Sequence, residues 1–177
     1  MIGAAAAQTP GVSWLLIDYR GYGASAGKPS AKALIADAIL WYDYAVGELH
    51  AKRVFAFGRS LGSGVAVALA ARRALAGVIV ASPFDSLTAV AQHYYPYLPV
   101  RWLLRHRFDS IALAPRLDAP MLCLIAQRDE VIPPVHAERL YDAWRGPKRK
   151  LVLPGARHGD LDATPAFWPA IRSFVSG

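Results

Sequence analysis

Arg53-Val-Phe-Ala-Phe-Gly58-Arg59-Ser60-Leu61-Gly62-Ser-Gly-Val-Ala-Val-Ala-Leu-Ala70 decides the fold. Its first five residues form a short apolar strand pattern, and its last nine are small residues that let a helix pack closely on a sheet. Between them lies Gly-x-Ser-x-Gly, with glycines two before and two after Ser60. A strand that turns this abruptly into a helix needs glycines where backbones approach, and it lifts the serine clear of the sheet. The pattern reads as a nucleophile elbow with Ser60 at its tip.

Working outward, apolar runs and helical spacings alternate along the 177 residues. Ser13 to Asp18 reads as a strand buried on both faces, followed by a glycine-rich turn at Gly21 to Gly27. From Ser30, an N-cap, Leu34, Asp37, Ala38, Trp41, Tyr44 and Ala45 recur at helical spacing. Then come strand Arg53 to Phe57, helix Leu61 to Arg73, strand Gly77 to Ala81, strand Met121 to Ala126, helix Pro134 to Trp144, strand Lys150 to Leu153 and helix Pro165 to Val175. This alternation predicts an α/β chain: a three-layer α/β/α sandwich around a mainly parallel sheet, forming one domain over 1–177. Residues 86–118, rich in Tyr, Trp, Leu and Arg, read as a small cap-like insertion.

The composition narrows the function. At 54% hydrophobic the chain can fill a core, and the net charge of +7 is spread over scattered basic residues. Only Arg101 to Arg107 and Lys148-Arg149-Lys150 cluster, so a solvated basic surface is expected rather than a nucleic-acid face. Contact with a membrane surface has no support beyond that charge. The lone Cys123 sits in an apolar run and reads as a buried thiol, compatible with a cytoplasmic location. Met1 to Ala7 lacks the basic start of a secretory signal, and no apolar run reaches spanning length. No His, Cys and Asp cluster has metal-ligand spacing, and neither a metal nor a cofactor is expected.

In open parallel sheets, ligands gather at the carboxyl ends of the strands. The residues that follow the strands here are Asp18, Ser60, Ser82 to Asp85, Asp129 and His158. A serine hydroxyl needs a base to remove its proton and a third group to orient that base. His158, in Pro154-Gly-Ala-Arg-His-Gly159, is the best-placed base. His50 and His106 lie in basic surface segments, His136 lies early in a helix, and His93 lies in the insertion. Asp129 is the preferred acid, because Ser, Asp, His then follow the chain order expected with this elbow. Asp85, in Ser82-Pro-Phe-Asp-Ser86, is the alternative acid, and Glu130 is read as a solvated charge.

These phrases together resemble the α/β-hydrolase superfamily, and within it the serine-aminopeptidase-like branch that includes Bem-type hydrolases and membrane-associated protein depalmitoylases. The resemblance runs through Leu16-Ile-Asp-Tyr-Arg-Gly-Tyr-Gly23 with Ser25 and Gly27, Phe57 to Gly64, Ser82-Pro-Phe, Ala119 to Ile125 with Asp129 and Val131-Ile-Pro133, and Gly155 to Gly159. It implies Ser60 as nucleophile, Asp129 as acid, His158 as base and the backbone N–H of Leu61 as one oxyanion donor. Family members carry further strands before the Asp-Tyr-Arg-Gly phrase, one ending in the loop that supplies a second donor. Met1 to Val12 cannot make them, so the chain reads as N-terminally incomplete, with a gap between the strands at Trp14 and Val54.

The expected reaction is cleavage of a carboxylic ester or thioester of a small-molecule or acyl substrate. Tyr94, Tyr95, Tyr97 and Trp102 are the candidate substrate-binding residues. Two other readings compete. Gly21-x-Gly23-x-x-x-Gly27 could cradle a nucleotide phosphate, but Lys28-Pro29 parts those glycines from the helix. A non-catalytic interaction protein on a degenerate hydrolase scaffold would fit the missing oxyanion loop.

Overall fold

A computed structural model describes residues 7–104 and 107–177. Four strands, β1 (Phe55–Arg59), β2 (Gly77–Ala81), β3 (Met121–Ala126) and β4 (Lys148–Leu153), form one sheet in the order β1-β2-β3-β4. All three pairings are parallel, in the registers Phe55 to Gly77, Val78 to Met121 and Met121 to Lys148. Consecutive strands are neighbours, so each connection crosses over the sheet and carries a helix.

The helices cover both faces. On one lie α1 (Ala31–Gly47), α2 (Leu61–Ala70) and α6 (Pro134–Ala143), packing Leu34, Val65, Val67, Leu140 and Trp144 onto Val78, Val80, Met121 and Cys123. On the other, α7 (Phe167–Ser176) packs Phe167, Trp168 and Ile171 onto Ile79, Ala81, Leu122 and Leu124. The central strands β2 and β3 are buried along their whole length, which explains their continuous apolar runs without polar alternation. Ser30 caps α1 as its position suggests, its Oγ accepting from the Ala33 N–H at 3.1 Å.

One expected element is corrected. Ser13 to Asp18 is not a strand: it pairs with none of the four, and Leu15 and Leu16 are 43% and 49% exposed. Trp14 tethers it by its side chain, donating through Nε1 to Thr9 Oγ1 at 2.8 Å and setting its ring edge-on to Phe57 and Trp168, and the Asp18 carbonyl accepts from Ser25 Oγ at 3.0 Å. An apolar run becomes a strand only where a neighbour completes its backbone ladder, and among the described residues β1 pairs with β2 alone. The chain then turns at Gly21, where Pro29 Cδ would stand 2.7 Å from an added Cβ, and Arg20 closes a fork on Asp37 of α1.

The segment after β2 holds α3 (Leu87–Tyr94), α4 (Val100–Leu103) and α5 (Ser110–Leu113), with a 3-10 turn at Ala114–Arg116. It leaves and returns at one place: Ser86 bridges to Asp109, and the Leu87 N–H donates to the Arg107 carbonyl at 3.0 Å.

Candidate active site

Parallel strands end on one edge, and that edge gathers the chemistry. Ser60 follows β1 directly, Asp129 lies three residues past β3, and His158 lies five past β4. The His158 Nε2 is 3.0 Å from Ser60 Oγ, and its Nδ1 is 2.9 Å from both Asp129 carboxylate oxygens. Side chains almost a hundred residues apart thus form one hydrogen-bonded line.

Each member has a local cause. Ser60 adopts φ 52° and ψ −120°, a strained backbone for a residue bearing a Cβ. It is held there by its own N–H, which donates to the Ala81 carbonyl at 2.9 Å, and by its carbonyl, which accepts from Ser63 Oγ at 2.6 Å and from the Ser63 N–H. Gly58 is obligatory, since a Cβ there would lie 2.2 Å from the Gly62 carbonyl oxygen. Leu61 is the first residue of α2, so its N–H has no intrahelical acceptor and forms part of the positive end of the helix dipole.

Asp129 has its side chain almost fully buried, and one oxygen accepts from the N–H groups of Val131 and Ile132 at 3.0 and 2.7 Å. Those bonds keep the carboxylate aimed at the imidazole before α6 begins. Tyr19, at the end of the unpaired segment, reaches the elbow: its hydroxyl would stand 3.3 Å from a Cβ on Gly62, and burial pushes its phenol pKa up.

The alternative acid Asp85 belongs elsewhere. It is 3% exposed and binds His136 Nδ1 at 2.9 Å, forming a second buried acid and histidine pair between the end of β2 and the start of α6. Glu130 is exposed, as expected of a solvated charge, and one of its carboxylate oxygens also accepts from the His158 backbone N–H at 3.3 Å. Of the candidate substrate-binding aromatics, Tyr94 touches this region, its hydroxyl donating to the Glu130 carbonyl at 2.8 Å. Tyr95, Tyr97 and Trp102 stand out in solvent, the last two 97% and 87% exposed.

Missed by the sequence reading were the contacts of Arg59 and Asp162, which span more than ninety residues and leave no local pattern. Among the described residues no group of three His, Cys, Asp or Glu side chains could hold a metal ion. Nor is any helix there long and apolar enough to cross a membrane.

Residues 4–113 match the profile of the serine aminopeptidase, S33 family. An uncharacterized protein of Mycobacterium tuberculosis is 41% identical over 170 residues, spanning 94% of this chain and 60% of that protein. The alpha/beta hydrolase domain-containing protein aho-3 of Caenorhabditis elegans is 34% identical over 160 residues, spanning 89% of this chain and 47% of its own length. The chain thus spans about half to 60% of these relatives. Among solved structures, the acetyl xylan esterase of Paenibacillus sp. R4 superposes with a TM-score of 0.72 at 21% identity, covering 90% of this chain and 63% of the esterase. That likeness establishes the shared fold.

Proposed function

The chain belongs to the serine aminopeptidase, S33 family of α/β-hydrolases, and from that premise we propose that it cleaves carboxylic esters or thioesters through an acyl-enzyme on Ser60. The observation that carries this reading is the line from Ser60 Oγ through His158 to Asp129, with contacts of 3.0 and 2.9 Å. Ser60 Oγ bonds to the acyl carbon while its proton passes to His158 Nε2. Asp129 accepts a hydrogen bond from Nδ1–H, which keeps Nε2 free as the base, and its charge stabilises the imidazolium that forms. The Leu61 N–H donates to the carbonyl oxygen as it gains charge, a contribution whose loss typically costs about 10²- to 10³-fold in turnover. His158 then returns the proton to the departing alkoxide or thiolate, and water repeats the sequence on the acyl-enzyme. Tyr94, beside the acid loop, and the exposed Tyr95, Tyr97 and Trp102 offer an apolar face to the acyl chain.

One observation favours a second reading, a non-catalytic protein on the same scaffold. Among the described residues, 13–18 pair with no strand and β1 pairs with β2 alone, so the Leu61 N–H is the one oxyanion donor identified there. A panel of p-nitrophenyl esters from acetyl to palmitoyl separates the two. The hydrolase reading expects release of p-nitrophenolate that Ser60→Ala abolishes. No Ser60-dependent release from any chain length, in protein shown to be folded, refutes it in favour of the second reading.

A further inference from the structure

Gly-x-Ser-x-Gly leaves the residue before the nucleophile open, and here it is Arg59, the last residue of β1. Its side chain is 19% exposed and crosses to the loop after β4. There Nη1 donates to Asp162 Oδ1 at 3.0 Å, and Nη2 donates to the backbone carbonyl of His158 at 2.6 Å. A single planar fork therefore grips the residue that bears the imidazole, and also the 3-10 turn Leu161–Ala163 just beyond it.

Two glycines flank His158 in that loop. Gly155 sits at φ +72°, and neither Gly155 nor Gly159 has a neighbour within 4 Å of an added Cβ. Glycines on both sides of His158 give the backbone many alternatives to the one that brings Nε2 to Ser60. The start of the loop is tied to the end of β3, the Gly155 N–H donating to Gln127 Oε1 at 2.9 Å and the Arg128 N–H to the Ala156 carbonyl at 2.8 Å, whereas around His158 itself the other backbone contacts are its N–H to Glu130 at 3.3 Å and the Arg157 N–H to Asp160 within the loop at 2.7 Å. Arg59, by contrast, stands on the rigid strand end that also carries Ser60.

We propose that Arg59 is a positioning residue for His158, anchoring the base loop to the strand that bears the nucleophile so that the two reacting side chains keep a fixed separation. This rests on the reading of His158 as the base. The fork geometry explains the choice of arginine: its planar guanidinium serves a carbonyl and a carboxylate at once, whereas a lysine ammonium is a point charge on a flexible stem. A purely structural ion pair would stabilise the fold without setting the Ser60 to His158 geometry.

The test uses Arg59→Met, Arg59→Lys and Asp162→Asn in the whole chain, with three readouts. They are the rate of Ser60 labelling by a fluorophosphonate probe, the strongly deshielded NMR signal of the proton between His158 Nδ1 and Asp129, and the thermal midpoint. A misplacement of about 1 Å at a reacting group costs on the order of 10²-fold, so Arg59→Met is expected to label about 10²-fold more slowly. Its Nδ1 proton signal should be lost to exchange. Arg59→Lys, able to keep one contact, should recover roughly tenfold of the labelling rate, and Asp162→Asn should lose less than Arg59→Met. Folded Arg59→Met that labels within twofold of the parent, or keeps an unchanged Nδ1 signal, overturns the proposal. If Arg59→Met does not fold, unchanged labelling and proton signal in both other variants overturn it equally. A parent chain that never labels refutes the hydrolase reading, while the proton signal still decides whether Arg59 positions His158.

Discussion

Gly58→Ala should damage fold and site together, because at Gly58 the backbone of β1 meets the backbone of α2. A Cβ built there lies 2.2 Å from the Gly62 carbonyl oxygen, 2.5 Å from the Gly62 carbonyl carbon and 2.7 Å from the Ser63 nitrogen. All three atoms are main chain, so no side chain can swing away. Restoring ordinary contact near 3.4 Å requires the first turn of α2 to retreat by about 1.2 Å. Overpacking of this kind costs about 3 kcal/mol, the upper end of its usual range, because only the backbone can yield. At a urea slope of about 2 kcal/mol per molar, the unfolding midpoint should fall by about 1.5 M. The same displacement moves Ser60 Oγ away from His158 Nε2, now at 3.0 Å, and fluorophosphonate labelling should slow by about 10²-fold. Gly47→Ala is the control: it ends α1 with nothing within 4 Å of the added Cβ, and it should gain roughly 0.5 kcal/mol from helix propensity. If Gly58→Ala unfolds at the parent's urea midpoint and labels at the parent's rate, the account of the elbow is wrong.

Two further outcomes follow from buried groups away from the proposed line. His136→Ala removes the partner of a carboxylate that is 3% exposed, leaving Asp85 with the Ser86 N–H at 2.6 Å and Arg139 at 3.6 Å. Urea unfolding should show a loss of about 3 kcal/mol, and a change below about 0.5 kcal/mol would contradict a pairing role. Cys123 is fully buried, and burial pushes its thiol pKa up to about 12. The thiol therefore stays protonated and inaccessible even at pH 9, where a free cysteine is largely thiolate. Native protein should resist a disulfide-exchange reagent at that pH and take up one equivalent in urea; fast reaction of the native chain would contradict the burial.

Most of the sheet was legible because β2 and β3 are buried on both faces, and that burial writes itself into the sequence as unbroken apolar runs such as Gly77 to Ala81 and Met121 to Ala126. Trp14-Leu-Leu-Ile17 carries the same signature yet forms no strand. Apolarity records what a segment would bury, whereas a ladder needs a neighbour, and no neighbouring strand pairs with it among the described residues. Helix ends were less legible. α2 stops at Ala70 although the sequence reading extends it to Arg73, since the end depends on where Arg72 and Arg73 bond back to Leu69.

The sequence alone determined which residue types stand at the strand ends. Ser60, Asp129 and His158 each follow an apolar run, and parallel strands bring such positions to one edge whatever the details between them. Only the tertiary structure decided how they are used. It joined Asp129, and not Asp85, to His158, gave Asp85 its own histidine, set the exposed Glu130 carboxylate against the His158 N–H, and laid Arg59 across to the His158 loop. The reason is physical. Strand ends are set by local periodicity, but a hydrogen bond needs two atoms within about 3 Å, and for partners up to a hundred residues apart that distance exists only after the sheet has assembled.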